Sequence, residues 1–168
     1  DNLFVASGRL TATGFNNTAM GVASLISLTS GYENTALGHQ AMSSDTDGSN
    51  NVAIGKDALY SNTSGSDNVA IGHSAGQDTN PTTTGSRNTF IGSSAGSGVA
   101  AQLTNATAIG ANARVGASNS LVLGSNANVG IGTSAPAFKL DVAGDINLTG
   151  SLRQNGNVVP FGGGASTI

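Results

Sequence analysis

The side chains able to do acid–base or metal chemistry are few: two histidines, nine Asp and Glu, and no cysteine in 168 residues. Without cysteine there is no thiol nucleophile, no thiolate metal site and no disulfide framework. His39 and His73 each follow a glycine of a recurring pattern, two repeats apart. In stacked repeats that separation is roughly 10 Å, too long to share one metal ion. Lys56 stands at the equivalent place between them, which marks the position as solvent-facing. Glu33 and Asp67 also share a phase, and their spacing is compatible with the ~6.5–9.5 Å of an inverting glycosidase pair. The same position holds Asn50 between them and Arg87 after them, however, and no aromatic-lined groove accompanies the pair. Neither histidine has an acid at a consistent offset for a nucleophilic triad. Gly130-Ile131-Gly132 lacks the strand–loop–helix frame and acidic partner of a nucleotide site, and reads as a turn. The expectation is a protein that is not an enzyme, with no catalytic residue, cofactor or metal.

The elements that carry these residues follow from composition and periodicity. The chain has 25 glycines, 9% charged residues and 4% aromatics, yet 38% hydrophobic residues and a net charge of −3. A globular domain carries about 25% charged residues, and a disordered chain has fewer aliphatics and more net charge. Six Lys and Arg give no electrostatic footprint for nucleic acid or an anionic membrane surface. No apolar run approaches the ~18 residues of a spanning helix, so membrane insertion is not expected.

Repetition organises the small residues. The pattern Gly-x-x-Asn recurs at Gly14/Asn17, Gly31/Asn34, Gly48/Asn51, Gly65/Asn68 and Gly85/Asn88, in three equal steps and a fourth, longer one. The longer step accommodates an insertion around Asn80–Thr84. Each Asn opens a run such as Asn51-Val52-Ala53-Ile54-Gly55, and a small residue follows at Ser24, Ala41, Ala58, Ala75 and Ala95. Thr107–Ala113 and Leu121–Ala127 continue the theme in shorter, 14-residue coils, after the 17-residue coils of the first half. Such a period is too short for helical repeats. The Val-Ala-Ile alternation has the period of a strand, and the flanking Gly and Asn tolerate the positive φ of tight turns. An all-β solenoid of stacked coils joined as parallel strands follows.

Alternation assigns two faces. Met20, Leu37, Val52, Ile54, Val69, Ile71, Ile91, Ile109, Leu121 and Leu123 are expected as the core, by their size. Ala19, Ala36, Ala53, Ala70 and Phe90 then face outward, to meet identical chains about a symmetry axis. Asn17, Asn34, Asn51, Asn68 and Asn88 are expected to stack as an amide ladder. Four segments follow: a lead-in over 1–13, solenoid coils over 14–133, a β neck over 134–160 and a flexible Gly-rich exit over 161–168. Within the neck, Asn155-Gly156 is a hairpin signal.

The runs Asn50-Asn51-Val52-Ala53-Ile54-Gly55 and Ala106–Gly116 resemble the head repeats of trimeric autotransporter adhesins of the YadA-like type. That resemblance implies a left-handed parallel β-roll in a three-chain bundle, with Val and Ile inward and Ala toward the other chains. Asn128–Pro136, Lys139–Ile146 and Gly150–Gly156 are similar to a segment of viral and phage fibres that precedes an endosialidase-type intramolecular chaperone. The 17-residue period favours the fibre relatives. The resulting expectation is a homotrimeric fibre segment of a virion tail fibre serving host attachment. It would partner itself, neighbouring fibre or virion proteins, and a host-surface glycan or protein. A bacterial surface adhesin head, hence an extracellular location, is the alternative, and a polysaccharide-degrading spike a third. Receptor contacts are expected in the arcs between coils, at Asp45, Asp47, Tyr60, Asn80 and Thr82. Leu25, Ile26 and Leu28 lie in another such arc.

Overall fold

The structure is a computed structural model that describes residues 1–5, 13–77 and 84–159. It is all-β, and it divides into two units, residues 1–127 and 128–168. Asn80, Thr82 and the exit over 161–168 lie outside the described residues.

The first unit is a parallel β-solenoid. One eight-stranded sheet stacks β1 (Leu3–Val5), β2 (Thr18–Met20), β3 (Thr35–Leu37), β4 (Val52–Ile54), β5 (Val69–Ile71), β6 (Thr89–Ile91), β8 (Thr107–Ile109) and β10 (Leu121–Leu123). Between these, β7 (Gly96–Ser97) pairs in parallel with β9 (Arg114–Val115). The register is strict: Ala19, Ala36, Ala53, Ala70, Phe90 and Ala108 are successive partners. The longer fourth step is absorbed without a slip, because Val69 still meets Thr89. The lead-in contributes a strand of its own, since Leu3–Val5 pairs with Thr18–Met20. Sequence spacing missed this strand because its step is 15 residues.

Each strand is short because a glycine ends it. Gly21, Gly38, Gly55, Gly72 and Gly92 have φ between +125° and +138°. A Cβ built on Gly55 would lie 2.5 Å from the carbonyl oxygen of Gly72 in the next coil. Here backbone rests directly on backbone, and only glycine fits. Turns elsewhere use left-handed φ at non-glycine residues in register: Asn16, Glu33, Asn50, Asp67 and Arg87 all lie between 57° and 60°. Glu33 and Asp67 thus share a phase because the turn recurs there, and both are exposed.

The second unit contains β11 (Val129–Ile131) paired in parallel with β12 (Leu140–Val142), and a hairpin of β13 (Arg153–Gln154) and β14 (Asn157–Val158). Asn155 (φ 51°) and Gly156 (φ 82°) form the hairpin's two-residue loop. The boundary expected at 133/134 therefore falls earlier, because Val129–Ile131 pairs with Leu140–Val142 and is no part of the eight-stranded sheet.

Gly55→Ala should destabilise the solenoid by roughly 3 kcal/mol or more, through the clash and the strained φ. Gly150→Ala, where an added Cβ meets nothing within 4 Å, should stay within about 0.5 kcal/mol. Denaturant unfolding followed by circular dichroism reads the contrast.

Candidate functional site

Two columns of side chains run the length of the sheet, one inside the coil and one outside, and their assignment reverses the expectation from residue size. Ala19, Ala36, Ala53 and Ala70 are completely buried and Phe90 is 4% exposed; they line the interior and are no outer face. The large residues expected as core are outside. Ile54, Ile71, Ile91 and Ile109 are each 37–39% exposed, and Met20, Leu121 and Leu123 more so. Leu37, Val52 and Val69 are half-buried on the same side. The coil is too narrow for the larger set. Across from the strand alanines the interior already holds Leu25, Met42 and Leu59, all 3% exposed or less and one per coil at equal steps. Those residues arrive there in left-handed φ of 48° to 52°.

One junction between coils tests that account of size. The column of Leu25, Met42 and Leu59 continues as Gly76 in the coil of Ala70, and the strand stacked next on that coil carries Phe90 instead of alanine. A Cβ on Gly76 would sit 2.9 Å from Phe90 Cδ2 and 2.7 Å from Leu59 Cδ2. The ring occupies the space that a side chain at position 76 would need. Leu25, Met42 and Leu59 are the interior residues that the sequence reading missed. Their shared interval, the same as that of the asparagines, was the available signal. It was overlooked because the arcs between strands vary most in sequence.

The asparagine ladder is continuous. Each Oδ1 accepts the backbone N–H of the next ladder residue: Asn34 to Asn17 at 3.0 Å, Asn51 to Asn34 at 3.0 Å, Asn68 to Asn51 at 2.9 Å and Asn88 to Asn68 at 3.0 Å. Nδ2 of Asn34, Asn51 and Asn68 also donates to the preceding Oδ1. Its second hydrogen reaches a carbonyl of the next coil, Gly48, Gly65 and Gly85 respectively. Asn2 extends the ladder upstream, accepting from Asn17. Downstream it ends where Ala106 donates its N–H to Asn88 Oδ1 at 3.0 Å.

Of the residues expected to contact a receptor, Asp47 is exposed and Tyr60 is half-buried. Asp45 is not a surface residue at all: it is completely buried, and its Oδ1 accepts the Gly48 N–H at 3.0 Å. The arc folds it inward at the position of Leu28 in the coil before, which is also buried. Ile26 remains exposed. Asp47 accepts hydrogen bonds from Ser30 and Thr29 of the preceding coil and from Thr46, which hold its carboxyl below the ordinary range. His39, Lys56 and His73 all face solvent. Phe15 and Tyr32, at one position of successive coils, are exposed and stacked with centroids 5.4 Å apart. No protein-family model matches the chain, and no curated protein matches it.

Asn51→Ala removes the acceptor of two buried Asn68 donors, and should cost about 2–5 kcal/mol at about 1–3 kcal/mol per unmet group. Phe90→Ala should cost about 3–5 kcal/mol. Adding Gly76→Leu should restore more than half of that loss, whereas Gly76→Leu alone should destabilise. Equilibrium unfolding of the four chains in that double-mutant cycle measures the coupling.

Proposed function

We propose that this chain is a protomer of a homotrimeric fibre segment, a left-handed β-roll of the viral or phage tail-fibre type, whose role is to extend and display surfaces for host attachment. The observation that carries the reading is the outer column of Met20, Leu37, Ile54, Ile71, Ile91, Ile109 and Leu123, with Val52 and Val69 beside it. It is an unbroken aliphatic stripe along the outer face of the sheet. Large contiguous apolar patches on soluble proteins mark interaction sites. A stripe that repeats at every coil suits an equally repetitive partner, and a second and third copy of the same chain supply one in register.

The axis-facing surface in this reading is the isoleucine face, since the alanines are consumed inside each coil. The residue-level resemblance to adhesin-head repeats supports three-fold symmetry. The similarity of residues 128–156 to fibre segments supports the viral over the bacterial setting. Attachment would rest on avidity: three copies multiply weak contacts made by exposed arcs such as that of Asp47 and Tyr60.

Sedimentation equilibrium should give about three times the 16.4 kDa chain mass. Ile54→Glu with Ile71→Glu, which places charges on the stripe and leaves the interior alone, should yield monomers that keep the circular dichroism of the folded coil. A monomeric parent chain, or a trimer indifferent to both charges, overturns the proposal.

A further inference from the structure

The interior column at Leu28, Asp45 and Asn62 changes chemical type at each coil while its geometry stays fixed. A Cβ built on Gly31, Gly48 or Gly65 would meet these three side chains at 2.8, 2.6 and 2.4 Å respectively. One slot, therefore, holds a hydrocarbon, a carboxyl and an amide in successive turns. Leu28 needs no polar partner. Asn62 uses its Nδ2 to donate to Gly65 O at 3.0 Å. Asp45 Oδ1 accepts from the Gly48 N–H, but Oδ2 is buried with no hydrogen-bond partner. An ionised carboxylate can only accept, and a carboxylic acid can also donate. The slot offers a carboxylate the Gly48 N–H at hydrogen-bond distance, with the Thr46 N–H and the Asn62 amide of the coil after also acting on it and a leucine from the coil before.

We propose that Asp45 carries a proton in the folded chain and acts as a built-in acid-responsive fastener, so that the solenoid is held more firmly in mildly acidic than in alkaline solution. Burial is the main cause that raises this carboxyl from 3.8 to about 7, against the opposing Gly48 and Thr46 N–H groups and the Asn62 amide. Asp47 adds to the rise, and it is the charged group acting on Asp45 among the described residues. Its own carboxyl is held low by Ser30, Thr29 and Thr46, so it stays negative throughout the relevant range. Leu28, Thr29 and Ser30 of the coil before, and Asn62 and Thr63 of the coil after, bring no ionisable group.

The direction follows from proton counting. Between about pH 4, where the unfolded chain releases this proton, and about pH 7, where the folded chain does, the folded state binds more protons. Stability from this group therefore falls as pH rises through that interval and is level above it. The slot lies within one chain, so the effect does not rest on trimer formation.

The test compares thermal unfolding of the full chain and of its Asp45→Asn variant at pH 4.5, 6 and 8. The variant supplies the donor seen at Asn62. It should melt several degrees above the parent at pH 8, with the gap closing toward pH 4.5. A gap that does not change with pH overturns the proposal. Should the variant fail to fold, carbon-13 NMR titration of the parent carboxyl decides the matter: a midpoint near 7 supports it, and one below 5 overturns it.

Discussion

A solenoid whose strands are three residues long has little hydrophobic area per coil, and its cohesion depends on placing each backbone turn directly on the next. The asparagine ladder enforces that alignment. One amide, such as that of Asn34, accepts from the following coil's backbone and side chain and donates to that coil's glycine carbonyl, so a shift by even one residue leaves several buried groups unmet. The glycine column enforces it from the other side. With Gly38, Gly55 and Gly72 touching through backbone atoms, no side chain can wedge the turns apart. Register in most parallel sheets is set by packing on both faces. Here hydrogen bonding and steric exclusion set it, and packing follows.

The narrow interior explains why the sequence disclosed the architecture and inverted the faces. Periodicity is independent of size, so the regular recurrence of Gly-x-x-Asn led to parallel stacking and to the amide ladder. Burial by size assumes a core wide enough for isoleucine. That assumption fails when Leu25, Met42 and Leu59 already fill the coil from the far side. Phe90 packed on Gly76 of the coil before is the exception that exposes the rule, since volume is conserved at that junction while residue identity is not. The asymmetry was readable in principle: a column that is alanine in five of the six strands from Thr18–Met20 to Thr107–Ile109, with larger Phe4 and Val122 at the sheet's two ends, is more constrained than one that accepts Met, Leu and Ile.

The same inversion changes what the surface can do. Alanines facing outward would have offered close approach but little area. Isoleucines facing outward offer area, at a spacing fixed by the strand repeat. Their exposure varies little over four coils, from 37% to 39%. The stripe is thus a property of the repeat unit and is continuous by construction. Asp47 shows the complementary case on an exposed arc, where hydroxyls of Thr29, Ser30 and Thr46 satisfy a charge that solvent also reaches.

Asp45 departs from both patterns. Two positions from Asp47 along the chain, it has the same functional group and an opposite environment, and nothing in its local sequence distinguishes an inward from an outward carboxyl. Only the column does. Leu28 stands at the same place one coil before it and Asn62 one coil after, both buried. A repeat protein tolerates such a substitution because each coil contacts only its neighbours, which confines the cost of one unfavourable side chain to a single junction. Confinement also makes that junction separately tunable. The amide and the protonated acid are near-isosteres that can each donate, whereas the carboxylate can only accept. A single proton thus switches this turn between the bonding pattern of its neighbour Asn62 and a buried, underbonded charge.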